Sequence, residues 1–186
     1  GALGISNNIN GTVTCVQNGF QDGGSSIISQ NLGAGNTKRA IGTFWRLLVI
    51  NSIIGAVGLV LMNVFLEPIS WLFANSAEGY NREFQELIMH VFRYESLGGC
   101  IPLGINSACM ALLFGFGKTK LTLVSNFSRV FVFRIPILWA LQNLTDIGSE
   151  SVGIVMAASN TLTAMLSFTI AMIVLRQVKK ESREKK

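Results

Sequence analysis

Long uncharged apolar segments alternate along this chain with charged connectors, and the connectors alternate in sign. Each segment is at least as long as the roughly 20 helical residues that cross a hydrocarbon core of about 30 Å. Basic connectors alternate with acidic ones, as the positive-inside rule requires if each segment crosses once. The segments are residues 47–66, 96–117, 151–175 and, interrupted only by Arg129 and Arg134, 121–145. The pattern therefore predicts an integral membrane protein.

The composition excludes several other classes of protein. Hydrophobic residues make up 49% of the chain and charged residues 13%, against about 25% charged in a soluble domain. The net charge of +5 does not indicate nucleic-acid binding, because most basic residues lie on the predicted cytoplasmic connectors and tail. His90 is single, and no catalytic or cofactor motif is present. We expect no enzyme activity, no cofactor and no nucleic-acid partner, and the sequence leaves metal binding open.

Five transmembrane helices are predicted, the first entering from outside and the last ending in the cytoplasm. The first is rich in Gly, Asn and Ser with Asp22 as its only charge, so we expect it to line a cavity inside the bundle. Pro102 and Pro136 should kink the third and fourth helices. An external connector is predicted at residues 67–80. The helices are predicted at about residues 4–33, 41–66, 84–116, 119–144 and 151–178, followed by a basic cytoplasmic tail at 179–186.

Ionisable residues inside the predicted helices are the main site candidates, because a charge in a bilayer faces a cavity or a partner. At about 1.5 Å per residue, Asp22 and Arg129 lie roughly 15 Å and 13 Å from the cytoplasmic side, so they could pair. Asp22 is predicted on the substrate or ion pathway, with Glu95 as a second acidic candidate. Arg129 and Arg134 are predicted to hold helices together or cap a cavity.

Uncharged polar residues extend this candidate pathway. Interhelical hydrogen bonds and a wet central cavity both remain open as explanations for them. The polar candidates are Asn18, Gln21, Asn106 and Asn126.

Two runs of sequence resemble one transporter family. IISQNLGAGNTKRA at 27–40 resembles the repeat signature of the multidrug and toxic compound extrusion (MATE) family, with Ser29 where Gly is common. In that family a Gly-Gln-Asn-x-Gly-Ala-Gly-Asn-like run ends the second helix of each half. LLFGFGKTKLTL at 112–123 resembles the family's Gly-x-Gly-x-Thr turn between the fourth and fifth helices of a half. The step from Arg134 to Pro136 also fits the fifth helix of a half.

The resemblance implies part of one six-helix lobe of a twelve-helix, two-lobed transporter. Residues 1–178 would form the C-terminal lobe, without its first helix and without the N-terminal lobe. The implied function is a Na⁺- or H⁺-coupled antiporter that exports cationic or amphipathic drugs and metabolites from the plasma membrane by alternating access. Some members carry a cation-binding acid on the tenth helix, which would fall near Leu103 here, so the coupling residue stays open.

Two other functions remain open. The first is a lipid-linked oligosaccharide flippase of similar architecture, whose phosphate cargo Arg129 and Arg134 would suit. The second is a non-transporting membrane scaffold subunit, in which a neutral replacement of Asp22 would be harmless.

The connector charges yield a prediction about topology. In a full-length protein without other cysteines, Ser182→Cys should resist a membrane-impermeant thiol reagent added to intact cells, because the basic tail is expected in the cytoplasm. Ser76→Cys, in the predicted external connector, is the matched control and should be labelled. Labelling of the cysteine at position 182 in intact cells would contradict the orientation.

Overall fold

The computed structural model describes residues 2–76, 79–80, 82–144 and 150–184, and these are almost entirely helical. The elements in chain order are α1 (Ala2–Gly33), α2 (Thr37–Val64), α3 (Leu66–Ala74), β1 (Asn75–Ser76), β2 (Gly79–Tyr80), α4 (Arg82–Gly115), α5 (Thr119–Phe127), a π-helical segment π1 (Ser128–Arg134), α6 (Ile135–Leu144) and α7 (Glu150–Glu184). β1 and β2 form a two-residue antiparallel hairpin between α3 and α4.

Within the described residues, four helical stretches are long and apolar enough to cross a bilayer. They are Thr37–Val64, Arg82–Gly115, Thr119–Ala140 and Gly153–Lys180. α1 is not among them, although its 32 residues exceed the length needed to cross. Its polar composition accounts for this, and it packs along one side against α4 and α2.

Two turns of identical geometry connect helices on the predicted cytoplasmic side. Gly35 and Gly117 have positive φ, 75° and 67°, which glycine adopts without strain. In the first turn, the N–H of Asn36 donates to the carbonyl of Asn31 at 2.8 Å, and the N–H of Gly35 to that of Leu32 at 2.9 Å. The second turn has the same two hydrogen bonds, donated by the N–H groups of Gly117 and Lys118. This is the Schellman arrangement that ends a helix, and it accounts for both glycine-rich runs.

α4 is the central helix, in contact with α1, α2, α3, α5 and α7. Glycines let its neighbours approach closely. A Cβ at Gly104 would lie 2.7 Å from the backbone oxygen of Asn51 on α2, and a Cβ at Gly98 would collide with Ala157 on α7. Near the cytoplasmic turns, α1, α2, α4 and α7 share an apolar core of Ile28, Ala40, Phe44, Cys109, Leu112, Ala171 and Leu175.

The outer surface of the bundle is apolar, as contact with lipid requires. α2 exposes one valine- and isoleucine-rich face, and the α5–π1–α6 stretch exposes another. The large exposed side chains on these faces include Val49, Ile53, Val57, Val60, Leu123, Phe127, Phe131, Ile135 and Trp139. These two faces therefore present hydrocarbon outwards, whereas one face of α1 is polar and exposed.

The structure differs from the sequence expectation at the external connector, which contains an additional helix, α3. Leu66 at its start is buried against Phe92 of α4, and Pro68 lies in its first turn, where a missing N–H is tolerated. α4 continues through Pro102 without a break, and α7 runs past Val178 to Glu184. The division between a lobe at 1–178 and a tail at 179–186 stays a prediction.

The close approach of α2 and α4 yields a stability prediction. A Cβ at Gly55 would overlap the backbone carbonyl of Cys100, which cannot move as a flexible side chain can. Gly55→Ala should therefore destabilise the full-length protein by about 1–3 kcal/mol, measured by thermal unfolding in detergent. Gly42→Ala, on the same helix with nothing within 4 Å, should be neutral or slightly stabilising. Equal losses in both variants would contradict the packing argument.

Candidate functional site

α1 carries polar side chains on two faces with different surroundings. At 100° per residue, Asn10, Thr14, Gln17 and Gln21 share one face, and Asn18 and Asp22 share another. The first face is turned towards the bundle: Asn10 and Gln17 are buried, and Thr14 and Gln21 are half-buried. The second face is exposed. The polar side chains of α1 therefore form two sets, one that faces the other helices and one that is exposed.

The inward face of α1 is joined to its neighbours by hydrogen bonds. The Gln17 amide donates to the backbone carbonyl of Cys100 on α4 at 2.8 Å and is 3.4 Å from that of Asn51 on α2. Ser107 of α4 donates to the Gln17 backbone carbonyl at 3.0 Å and lies 3.2 Å from the Gln21 side-chain oxygen. For Gln21, the structure therefore favours an interhelical hydrogen bond over a free pathway position.

A second polar chain crosses the bundle on the other side of α4. The Ser167 hydroxyl on α7 donates to the Asn106 side-chain oxygen at 2.7 Å. Its single proton is thereby used, so Ser125 of α5 donates to Ser167 across 2.6 Å. All three residues are buried. Asn106, predicted on the pathway, thus connects α4 to α7 and α5.

The exposed face of α1 is a polar stripe of Asn18, Asp22, Ser26 and Ser29, one helical turn apart. Only the backbone carbonyls of Asp22 and Ser26 are used locally, by the hydroxyls of Ser25 and Ser29. Among the described side chains no basic group pairs with the Asp22 carboxylate. The ion pair that these side chains do form joins Arg82 and Glu86. A polar stripe of this length suits a water-filled cavity rather than lipid.

The hypothesis that Asp22 pairs with Arg129 is therefore wrong within this structure. Asp22 is eight residues beyond Thr14, roughly 12 Å along the helix, and it lies on a different face. Arg129 instead lines a pocket with Asn10, Gly11 and Thr14. Asp22 and Arg129 were predicted at the same depth in the membrane from their positions in the chain. That depth does not show which face of α1 contacts the arginines.

Arg129 and Arg134 line one small pocket between α1, α4, π1 and α7. The pocket, called the arginine pocket below, has a volume of about 140 Å³. Its lining residues are Asn10, Gly11, Thr14, Gly99, Leu103, Arg129, Arg134, Met156 and Asn160. The Nε atoms of both arginines and the Nδ2 of Asn10 are buried without a hydrogen-bond partner. None of the described lining residues is acidic.

The π-helical segment brings the two arginines to the same face. In an α-helix, residues five apart point about 140° away from each other. In π1 the hydrogen bonds run between residues five apart, as from the Ile135 N–H to the Val130 carbonyl, so Arg129 and Arg134 lie on the same side of the helix. Pro136 follows directly, and its ring would clash with the Val132 carbonyl in a regular α-helix. The wider turn relieves that clash.

The remaining candidates are placed as follows. Asn126 is exposed on α5, away from the arginine pocket. The side chain of Glu95 lies outside the described residues. Among the described residues no group of three His, Cys, Asp or Glu side chains could hold a metal ion. Asn10, Thr14 and Asn160 were not predicted to lie beside the arginines, although the 100° spacing already places Asn10 and Thr14 on one face.

The bundle and its polar interior define the class as a polytopic helical membrane protein, and comparisons with known proteins identify the family. The MatE family model matches residues 1–140, so the chain belongs to the MATE family. A solved structure described as an inward-facing multidrug resistance MATE family transporter of the MOP superfamily superposes with a TM-score of 0.86 at 15% identity. The match covers 94% of this chain and 39% of that transporter.

These findings confirm the predicted family and the all-α membrane fold that forms part of one lobe. MATE proteins are transporters and not enzymes, in agreement with the sequence analysis. A comparison with curated proteins gives no significant match.

The chain from Ser125 to Asn106 yields a second stability prediction. Ser167→Ala removes both of its hydrogen bonds and should destabilise the full-length protein by about 1–2 kcal/mol, at roughly 0.6 kcal/mol per interhelical bond plus the cost of buried groups left unpaired. Thr169→Ala is the control, because Thr169 is exposed on the same helix and bonds only to the Met165 carbonyl. Unfolding in mixed detergent micelles measures both. An equal effect of the two variants would contradict the network.

Proposed function

We propose that the chain forms most of the C-terminal lobe of a cation-coupled antiporter. The full protein would exchange Na⁺ or H⁺ for cationic or amphipathic drugs and metabolites. Membership of the MATE family and the match to a multidrug transporter support a transport role. The plasma membrane location, the cytoplasmic C-terminus and the missing N-terminal lobe belong to the same proposal.

The observation that carries the proposal is the exposed polar stripe on α1 with Asp22 at its centre. A charged group at the middle of a bilayer costs at least about 2.5 kcal/mol on insertion scales. Asp22 has no cationic partner among the described side chains, and its neighbours Asn18 and Ser26 are also exposed. A water-filled cavity between two lobes would keep this carboxylate hydrated.

The proposed mechanism is competition for this carboxylate. When the lobes open inwards, the cationic compound replaces the coupling ion beside Asp22. When they open outwards, the coupling ion replaces the compound. Because one carboxylate neutralises one positive charge at a time, binding of either weakens binding of the other.

Asp22→Asn should abolish export from cells that produce the full-length protein, because the amide keeps the size but loses the charge. Its abundance in the membrane should stay close to normal, since no ion pair among the described residues depends on it. The measurement is efflux of a fluorescent cation together with an immunoblot. Glu86→Gln, which removes an exposed carboxylate at the start of α4, is the control and should export normally.

Three other outcomes separate the alternatives. Unchanged efflux and abundance with Asp22→Asn would mean that the coupling residue lies elsewhere, whereas the scaffold function predicts no efflux even from the unmodified protein. A lower abundance would mean that Asp22 pairs with a group outside the described residues. The oligosaccharide flippase remains a second candidate because of the arginine pocket, and it predicts no cation efflux even from the unmodified protein.

A further inference from the structure

The described lining of the arginine pocket combines two positive charges with no negative one. Arg129 and Arg134 are each half-buried, and electrostatic repulsion acts between them. None of the lining residues is acidic, and neither guanidinium takes part in an ion pair among the described side chains. Two like charges this close inside a bilayer favour a bound anion, because an anion neutralises both at once.

Three donors in the pocket have no hydrogen-bond partner, one from α1 and two from π1. The Cys100 thiol lies 3.7 Å from the Oδ1 of Asn10, which fixes the orientation of that amide. Asn10 is 6% exposed, and its Nδ2 is left without a partner, as are the Nε atoms of both arginines. Each of these atoms carries a hydrogen and can only donate. Charged donors of this kind bind oxyanions most strongly.

The dimensions of the pocket limit what it can hold. Its volume is about 140 Å³, well above the roughly 10–15 Å³ of accessible cavity volume that one water molecule needs. A single carboxylate or phosphate group fits this space. Gly99 faces the Asn10 amide and has no side chain that would fill the pocket. Leu103 and Met156 form an apolar wall. An anionic group attached to an apolar body would therefore be held at both ends.

The π-helical turn is the reason that the site exists. Without it, Arg129 and Arg134 would diverge by about 140°, and only one of them could reach the pocket. The structural hydrogen bonds elsewhere in the bundle use neutral groups such as Gln17 and Ser167. A purely structural role would not require two unpaired cations on one widened turn.

We propose that the arginine pocket is a binding site for one oxyanion group, a carboxylate or phosphate, held by Arg129, Arg134 and the amide of Asn10. The site is separate from the Asp22 stripe. It does not depend on the export proposal, because anion binding is measured without transport.

The test uses the full-length protein purified in detergent, with inorganic phosphate as the probe and sodium chloride added to match ionic strength. Phosphate binding is measured by isothermal titration and by the rise in melting temperature. Arg134→Gln removes one guanidinium, and Leu103→Asp keeps both arginines but places a carboxylate in the pocket. Arg93→Gln, an exposed arginine of α4 outside the pocket, is the matched control.

Phosphate should bind the unmodified protein and the Arg93→Gln control equally. Arg134→Gln should raise the Kd for phosphate at least tenfold, the usual effect of losing a charged hydrogen bond. Without phosphate, this variant should melt at a higher temperature, because one of two repelling charges is gone. Leu103→Asp should also melt higher and should no longer respond to phosphate, because its own carboxylate neutralises the arginines.

Two results would overturn the proposal. The first is a failure of phosphate to bind or stabilise the unmodified protein. The second is a lower melting temperature of Arg134→Gln without phosphate, combined with an unchanged Kd. That result would mean that a carboxylate elsewhere in the full-length chain already pairs with the arginines.

Competition against labelled phosphate distinguishes the source of the anionic group. If the site takes the anionic end of an organic compound, benzoate should compete at a concentration at least tenfold lower than acetate, because Leu103 and Met156 contact its ring. If the site takes a free small anion, the two carboxylates should compete equally.

Discussion

Hydrocarbon offers no hydrogen bonds, so a polar side chain in this bundle is stable when another helix supplies its partner or when it faces a cavity. The contact between the Gln17 amide and the backbone carbonyl of Cys100 shows what this constraint does. α1 is too polar to rank with the apolar spanning helices, yet it packs extensively against α4 and α2. Its inward face is stable there because its neighbours provide the partners that lipid lacks.

The hydrogen bonds of Gln17 depend in turn on glycine. A side-chain amide reaches the backbone of a neighbouring helix only if the two helices are very close. Gly55 and Gly104 lie beside the Gln17 amide, and a Cβ at either position would lie within about 3 Å of its nitrogen. Small residues on α2 and α4 therefore allow a polar α1, and the cavity-facing stripe of α1 is held in place by the same contacts.

Much of this architecture follows from local rules that the sequence displays. Charge alternation and segment length predict the spanning helices, and the two glycine-rich runs predict the turns at Gly35 and Gly117. The exposed position of Asp22 is also consistent with a helix that carries one charge among small polar residues. These features depend on spacing within one helix, which a sequence shows directly.

The arginine pocket depends on something that the sequence does not show. With α-helical spacing, Arg129 and Arg134 belong to different faces, and only the π-helical turn before Pro136 brings them together. Pro136 signals a disturbance but does not determine whether the helix kinks or widens. The face of α1 that contacts the arginines could not be predicted either, because the depth of a residue along a helix does not show how that helix is rotated about its axis. The packing of the helices against each other therefore determines which residues form the arginine pocket.

The two charged regions of the lobe differ in the way each charge is accommodated. Asp22 lies on an open face, where water in a cavity keeps a single carboxylate ionised. The arginines lie in a small, partly open pocket of about 140 Å³ whose described walls supply no counter-charge. Neutral residues such as Ser125, Ser167 and Asn106 already connect the helices around α4, so helix packing does not explain a pair of cations. Their electrostatic repulsion is relieved by an anion, and the fold therefore favours occupancy of the arginine pocket.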